Sequence, residues 1–197
     1  MKPEENLPDN ELLQLMRAGD EEAFTLLYRR RQAAIYRFAV QMGGSPALAE
    51  DVTQEVFLAL IRECHAFDPG RGSLSAFLFG MARNQLLRRL QRERFYAQID
   101  DDAKEDGASA SVEPWEDFLR AEAIESVRKA VLSLPERYRE VVVLCDLEEM
   151  SYVETGEILG CALGTVRSRL HRGRSLLIEK LRPTNDQQPA KAARCFA

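Results

Sequence analysis

Arginines, rather than histidines or cysteines, are the residues of this chain whose types and spacing point to chemistry, and that chemistry is recognition. Between residues 163 and 182, Arg167, Arg169, Arg172, Arg174, Lys180 and Arg182 stand against one acid, Glu179, a local charge of +5. At about 100° per residue, Arg167, Ser168, His171 and Arg172 share one side of a helix, spread over roughly 140°. Val166, Leu170, Gly173, Leu177 and Leu181 share the other within about 80°, the core stripe of an amphipathic helix. The polar face is rich in donors and holds no carboxylate, which suits an anionic partner. A shorter helix is expected just before it, at 152–159. Ser151 is its N-cap and Glu154, three residues on, completes a capping box. Gly160 supplies the left-handed geometry that stops it. A short helix, a Gly turn and a basic helix make a helix-turn-helix, whose second helix lies in the DNA major groove. A solvated basic face is the plain alternative for an isolated Arg-rich helix; the helix and turn in front of it favour the groove.

Other chemistries find little support. His65 and His171 fall in different halves of the chain, and no Gly-rich phosphate loop or nucleophile–base pair is in view. Cys64, Cys145, Cys161 and Cys195 are scattered without a C-x-x-C pair. Cys64-His65 with a distant cysteine matches no compact zinc pattern. No metal site, cofactor or small-molecule substrate is expected. The N-terminus is acidic and carries no apolar run, so it is no secretory signal, and no stretch approaches the ~18–20 apolar residues needed to span a membrane. A cytoplasmic chain with reduced thiols is expected.

The net charge of −5 is unevenly placed. Residues 81–95 hold five arginines against Glu93, a local +4, whereas residues 97–126 hold ten acids against Lys104 and Arg120, a local −8. Two basic patches separated by an acidic segment imply two nucleic-acid contacts in one chain, with weak DNA binding when the chain is alone.

The elements that must position these residues all read as helices. They are expected at 10–18, ended by Gly19, and at 21–42, with Phe24, Leu27, Tyr28, Ile35, Phe38, Ala39 and Met42 on an apolar face. Ser45-Pro46 reads as N-cap and first position of a helix over 46–66, which buries Ala49, Val52, Val56, Phe57, Leu60, Ile61 and Cys64. Its opposite side places Asp51, Glu55, Leu58 and Arg62 within about 60° of one another, flanked by Gln54. An exposed Leu ringed by polar groups resembles a small docking site, an apolar centre with a polar rim, although a lone surface Leu often signifies nothing. Residues 67–73 form a loop. A helix over 73–95 follows, apolar in its first half and basic in its second. Residues 97–114 have linker composition. Helicity returns at 118–132, through Phe118, Ile124, Val127, Val131 and Leu132, and at 135–148, where Pro135 takes the first helical position. The tail after Pro183 reads as disordered. The fold class is all-α: two small helical domains, residues 10–96 and 117–182, on a flexible acidic linker over 97–116, with a tail over 183–197.

Three stretches carry a family resemblance. D51-V-T-Q-E-V-F-L, F67-D-P-G-R-G-S-L-S-A-F-L-F-G-M-A-R-N84 and L134-P-E-R-Y-R-E through G164-T-V-R-S-R-L-H-R172 resemble region two and region four of bacterial RNA polymerase sigma factors of the compact extracytoplasmic-function group. The likeness spans about residues 10–182. It implies that Asp51, Gln54, Glu55, Leu58 and Arg62 dock on the clamp helices of the polymerase β′ subunit, with the β flap as a second contact. It implies that Phe67, Asp68, Arg71, Ser73 and Asn84 hold a base flipped from the −10 element, and that Arg88, Arg89 and Arg92 follow phosphates of the opening duplex. Thr165, Arg167, Ser168, His171 and Arg172 would face the −35 element. The acidic linker would thread a nucleic-acid channel of the polymerase, and an anti-sigma factor would control the chain. The chain departs from the family pattern with Phe77 in place of Trp, Arg88 in place of Asp, Thr155-Gly156 in place of Ile-Ala, and a turn at Cys161-Ala162 without Ser or Pro. An ordinary helix-turn-helix regulator with an N-terminal sensing or dimerising module is the competing class, and a small helical enzyme the third. The docking face joined to the basic 73–95 helix favours the sigma factor, since a simple repressor needs neither.

Overall fold

The computed structural model describes residues 7–97 and 115–182. Of the linker expected at 97–116, residues 98–114 lie outside them, as does the tail from 183, whereas Ala97 ends a helix and Trp115 and Glu116 begin the next. Among the described residues every regular element is a helix: α1 Asp9–Arg17, α2 Glu21–Gly43, α3 Pro46–Glu63, α4 Leu74–Ala97, α5 Trp115–Leu132, α6 Glu136–Val142, α7 Tyr152–Leu159 and α8 Leu163–Leu181. No described helix is long and apolar enough to cross a membrane.

Local chemistry sets most boundaries. Asp20 caps α2 by accepting from Glu22 N and Ala23 N, and Gly44 ends that helix in the left-handed region. Ser45 caps α3 with Pro46 behind it, as expected. Several expected helices end or begin elsewhere. The 46–66 helix stops at Glu63 and tightens into a 3-10 turn, Cys64–Ala66. The Arg17 guanidinium captures the carbonyls of Cys64 and Phe67 there, which satisfies end groups that further helix would have used. The 73–95 helix begins at Leu74, because Ser73 caps it by accepting from Ala76 N at 3.1 Å. The 135–148 helix is α only over Glu136–Val142 and then widens into a π turn, Val143–Leu147. Pro135, with ψ 136°, is its cap rather than its first residue. The π turn lets Val143 and Leu144 both point inward, fully buried.

α2, α3 and α4 pack into one core around Phe38, Leu60, Leu78 and Leu86. Phe38 and Phe79 meet edge to face at 5.4 Å, a geometry favoured by about 0.5–1.5 kcal/mol beyond burial. The C-terminal helices have a smaller core of Leu134, Val141, Val142, Val166 and Leu170. The two modules adjoin, since Val131, Val143, Leu144 and Met150 of the C-terminal half pack with the N-terminal core. Polar clasps reinforce the join. Arg139 donates to Met42 O at 2.7 Å and to Leu132 O at 2.5 Å, and Arg128 donates to Gly44 O at 2.9 Å, so two guanidiniums close the C-terminus of α2.

Several residues expected inside are not. Ile61 is 49% exposed, because it sits at the rim of a groove between α2 and α3. Ile124, Val127 and Leu181 are also exposed; periodicity supplies the angle of a side chain but not a neighbour to cover it.

Candidate nucleic-acid interface

The loop between α3 and α4 is built by short-range polar contacts. Asp68 accepts from Gly70 N at 2.9 Å and shapes the turn Pro69–Arg71. Gly72 then takes φ 151°, ψ −179°, a backbone state open in practice only to glycine. The loop and α4 enclose a cavity of about 490 Å³ lined by Phe67, Asp68, Arg71, Ser73 and Asn84, within the range of small-ligand sites. Five of the eight residues expected to meet a −10 element therefore converge. Phe67 is buried and leans on Phe77, centroids 5.4 Å apart, so it is a wall of the cavity and not a free stacking plane. Glu63 of α3 and Glu157 and Ile158 of α7 also line it. Reasoning along single helices missed all three, and nothing in the sequence links α7 to this loop.

Farther along α4, Arg88 and Arg92 are exposed. Arg89 instead donates to Asp51 Oδ2 at 2.7 Å, joining a residue expected on phosphate to one expected on the docking face. Arg83, counted in the same basic patch, is turned inward and donates to Glu140 Oε1 at 2.6 Å. Glu140 is buried, and removing one partner of such a pair costs roughly 3–5 kcal/mol.

On α3, Asp51, Gln54, Leu58 and Arg62 face solvent together and Glu55 is half-buried beside them. Leu58 is 43% exposed. Arg62 donates to Leu58 O at 3.1 Å and lies 3.8 Å from Glu55. A groove of about 650 Å³ adjoins this face, walled by Phe24, Tyr28 and Tyr36 of α2 and by Gln54, Phe57 and Leu58 of α3. Phe24 and Tyr28, expected in the core, are half-buried groove walls instead.

The helix-turn-helix forms as its residues dictate. Ser151 and Glu154 make both bonds of the capping box, and Gly160 closes α7 at φ 61°. Arg167, Ser168, His171 and Arg172 are exposed along α8 while Val166, Leu170 and Gly173 are buried; Thr165 is half-buried. Ser168 Oγ donates to Thr165 O at 3.0 Å. Ala162 caps α8 without a side-chain acceptor. A Cβ on Gly156 would stand 3.0 Å from Cys161 O, so the glycine that weakens α7 is what allows the turn to lie against it. Arg174 grips Asp146 through Nε at 3.0 Å and Nη2 at 2.5 Å. That carboxylate raises the guanidinium pKa further, so Arg174 is partly neutralised within the +5 helix.

Burial pushes the Cys145 thiol upward despite its contact with Thr155 Oγ1 at 3.3 Å. Burial also pushes the Glu148 carboxyl upward despite Arg37 at 3.1 Å. The Ser73 hydroxyl, donating to Glu154 Oε1 at 2.6 Å, holds that carboxyl below its ordinary range. No group of three or more His, Cys, Asp or Glu residues fit to hold a metal occurs among the described residues.

Two family models match the chain, "Sigma-70 region 2" over residues 27–96 and "Sigma-70, region 4" over residues 124–177. The chain is 31% identical over 175 residues to the ECF RNA polymerase sigma factor SigW of Bacillus subtilis, a match covering 85% of this chain and 93% of that one. It is 31% identical over 190 residues to the ECF RNA polymerase sigma-E factor of Escherichia coli, covering 91% and 97%. Its structure resembles the sigma factor RpoE of Bartonella quintana, solved in complex with the anti-sigma factor NepR, with a TM-score of 0.67 and 25% identity over 78% of this chain and 92% of that one. An exposed basic recognition helix, a loop cavity on an arginine-bearing helix and near full-length likeness to these relatives converge: the chain belongs to the extracytoplasmic-function group of bacterial RNA polymerase sigma factors.

Proposed function

We propose that this chain is a dissociable promoter-specificity subunit that docks on core RNA polymerase through α3, reads and melts a −10 element through the 67–73 loop and α4, and reads a −35 element through α8. It works in the cytoplasm and carries out no catalysis of its own. The observation that carries the reading is the convergence of Asp68, Arg71, Ser73 and Asn84 on one cavity beside the exposed Arg88 and Arg92. Extruding a base costs a few kcal/mol of stacking, which a shaped polar pocket returns. Arginines beside the pocket would hold the phosphates on either side. Leu58, with Asp51, Gln54, Glu55 and Arg62 at its rim, would meet the β′ clamp helices. The β flap would hold the C-terminal module, residues 117–182, at the spacing the promoter demands, while the acidic 97–116 linker crosses between.

The chain is also proposed to be held in check by an anti-sigma factor. The likeness to RpoE, a sigma factor solved with such a partner, supports this, as does the uncovered aromatic groove beside Leu58.

Run-off transcription with purified core polymerase tests the −10 assignment. Asn84→Ala should lower initiation at least tenfold on duplex promoter and much less on a template already opened across the −10 element. Equal loss on both templates would remove Asn84 from base capture.

A further inference from the structure

Arg89 of α4 does not share the course of its neighbours. At about 100° per residue, Arg88 and Arg92 lie within about 40° of each other, whereas Arg89 stands about 100° from Arg88. Arg88 and Arg92 are exposed, but Arg89 is half-buried and turned toward α3. Its Nη1 donates to Asp51 Oδ2 at 2.7 Å, and its side chain is 31% exposed against 58% for that of Asp51. The carboxylate is therefore fixed from the α4 side and still open to a partner from outside.

Asp51 is one of the acids of the docking face, and the other is served in a similar way. Arg62 donates to Leu58 O at 3.1 Å and lies 3.8 Å from Glu55. Leu58 thus stands among two acids, each with its own arginine, and one of those arginines comes from another helix. Exposed ion pairs of this kind contribute little to folding, so the effect of the Arg89–Asp51 pair is to be sought in binding. A phosphate that took the Nη1 donor would have to displace Asp51 and would bring a second negative charge up to that carboxylate. Arg88 and Arg92, on the open side of α4, meet phosphate at no such cost.

We infer that Arg89 is a positioning residue of the polymerase-docking face and not a phosphate contact: it holds the Asp51 carboxylate in the direction from which core polymerase is met. A side chain already held needs less ordering when the complex forms. The phosphate track of α4 is then carried by Arg88 and Arg92. This rests on the reading of α3 as the docking face.

The test uses the full chain in two measurements. Titration of the fluorescently labelled chain with core polymerase reads docking. Binding of the holoenzyme, formed at saturating chain, to a fork DNA with a single-stranded −10 element reads the salt dependence of the DNA contact. Arg89→Gln should weaken docking about fivefold. Arg89→Lys should restore most of the loss, because the contact uses one donor that an ammonium can replace. Arg89→Gln should add nothing in a chain that already carries Asp51→Asn; a general loss of stability would act with or without Asp51. On DNA, Arg92→Gln should lower the salt slope by about 1, and Arg89→Gln should leave it unchanged. Docking by Arg89→Gln as tight as the parent's or tighter would overturn the inference, and so would additive losses in the double variant or a slope lowered by about 1 in Arg89→Gln. Leu58→Asp separates this failure from that of the docking reading. If Leu58→Asp binds core polymerase like the parent, the docking reading falls; if it does not bind while Arg89→Gln docks normally, the positioning role alone falls.

Discussion

The two proposed DNA-contacting surfaces are presented in opposite ways, and one helix accounts for both. On α8 the side chains Arg167, Ser168, His171 and Arg172 stand in solvent. At the other end, the cavity between the 67–73 loop and α4 is walled in part by Glu157 and Ile158 of α7. α7 is the scaffold on which α8 rests, through the turn that Gly156 admits, and it also lends two side chains to the wall of the loop cavity. A recognition helix for duplex DNA must be accessible before melting, whereas a pocket for an extruded base is useful only after it. The exposed side chains of α8 suit the step that comes first, and the walled cavity suits the step that follows.

Four substitutions break or sharpen that contrast. Leu58→Asp should act on both surfaces at once, because neither is used without polymerase. A charge at the centre of a docking face should cost about 2–4 kcal/mol of binding, seen as loss of core-enzyme capture in a pull-down with the far-ultraviolet dichroism unchanged. Capture at the parent's level would remove α3 from the interface. Gly173→Ala should loosen the platform of the open surface. Its Cβ would fall 2.7 Å from Val142 Cγ2, and overpacking of this kind costs about 1–3 kcal/mol. Thermal unfolding of the full chain should start lower, with −35 binding weakened in proportion. Arg172→Ala should touch the open surface alone. If the guanidinium pairs with a base edge, it should lose about 1–3 kcal/mol at one −35 position. Equal weakening on every sequence would make it a phosphate contact. Ala162→Ser should give the smallest change, a gain of about 0.5–1 kcal/mol, by supplying the side-chain cap that α8 lacks. A stabilised chain with the same −35 preference would show that the atypical turn affects stability and not specificity.

How much was legible in the sequence follows the same division. The faces of α8, the Ser151–Glu154 capping box, the Gly160 stop and the Ser45-Pro46 start were readable because each depends on residues within about one or two turns. The polar rim around Leu58 was readable for the same reason. Ile61 was misplaced because a helical wheel gives an angle and not the presence of a covering neighbour. The π turn at Val143–Leu147 breaks the 3.6-residue period without leaving a mark in residue types. The Arg89–Asp51 pair joins two helices to which separate roles had been given. The Ser73–Glu154 bond joins residues 81 apart in sequence, and tertiary contacts at that separation are invisible to local pattern. Arg83 shows the consequence most plainly: it belongs to the basic patch by position, but its partner is a buried glutamate of the other module.

The central claim, that this chain directs initiation by reading two promoter elements at once, is tested most directly by run-off transcription with reconstituted holoenzyme. Start sites are first mapped on genomic DNA, and the −35 and −10 elements of the strongest promoter are then scrambled one at a time. The account predicts that either change abolishes the specific transcript. An undiminished transcript after either element is scrambled would contradict it.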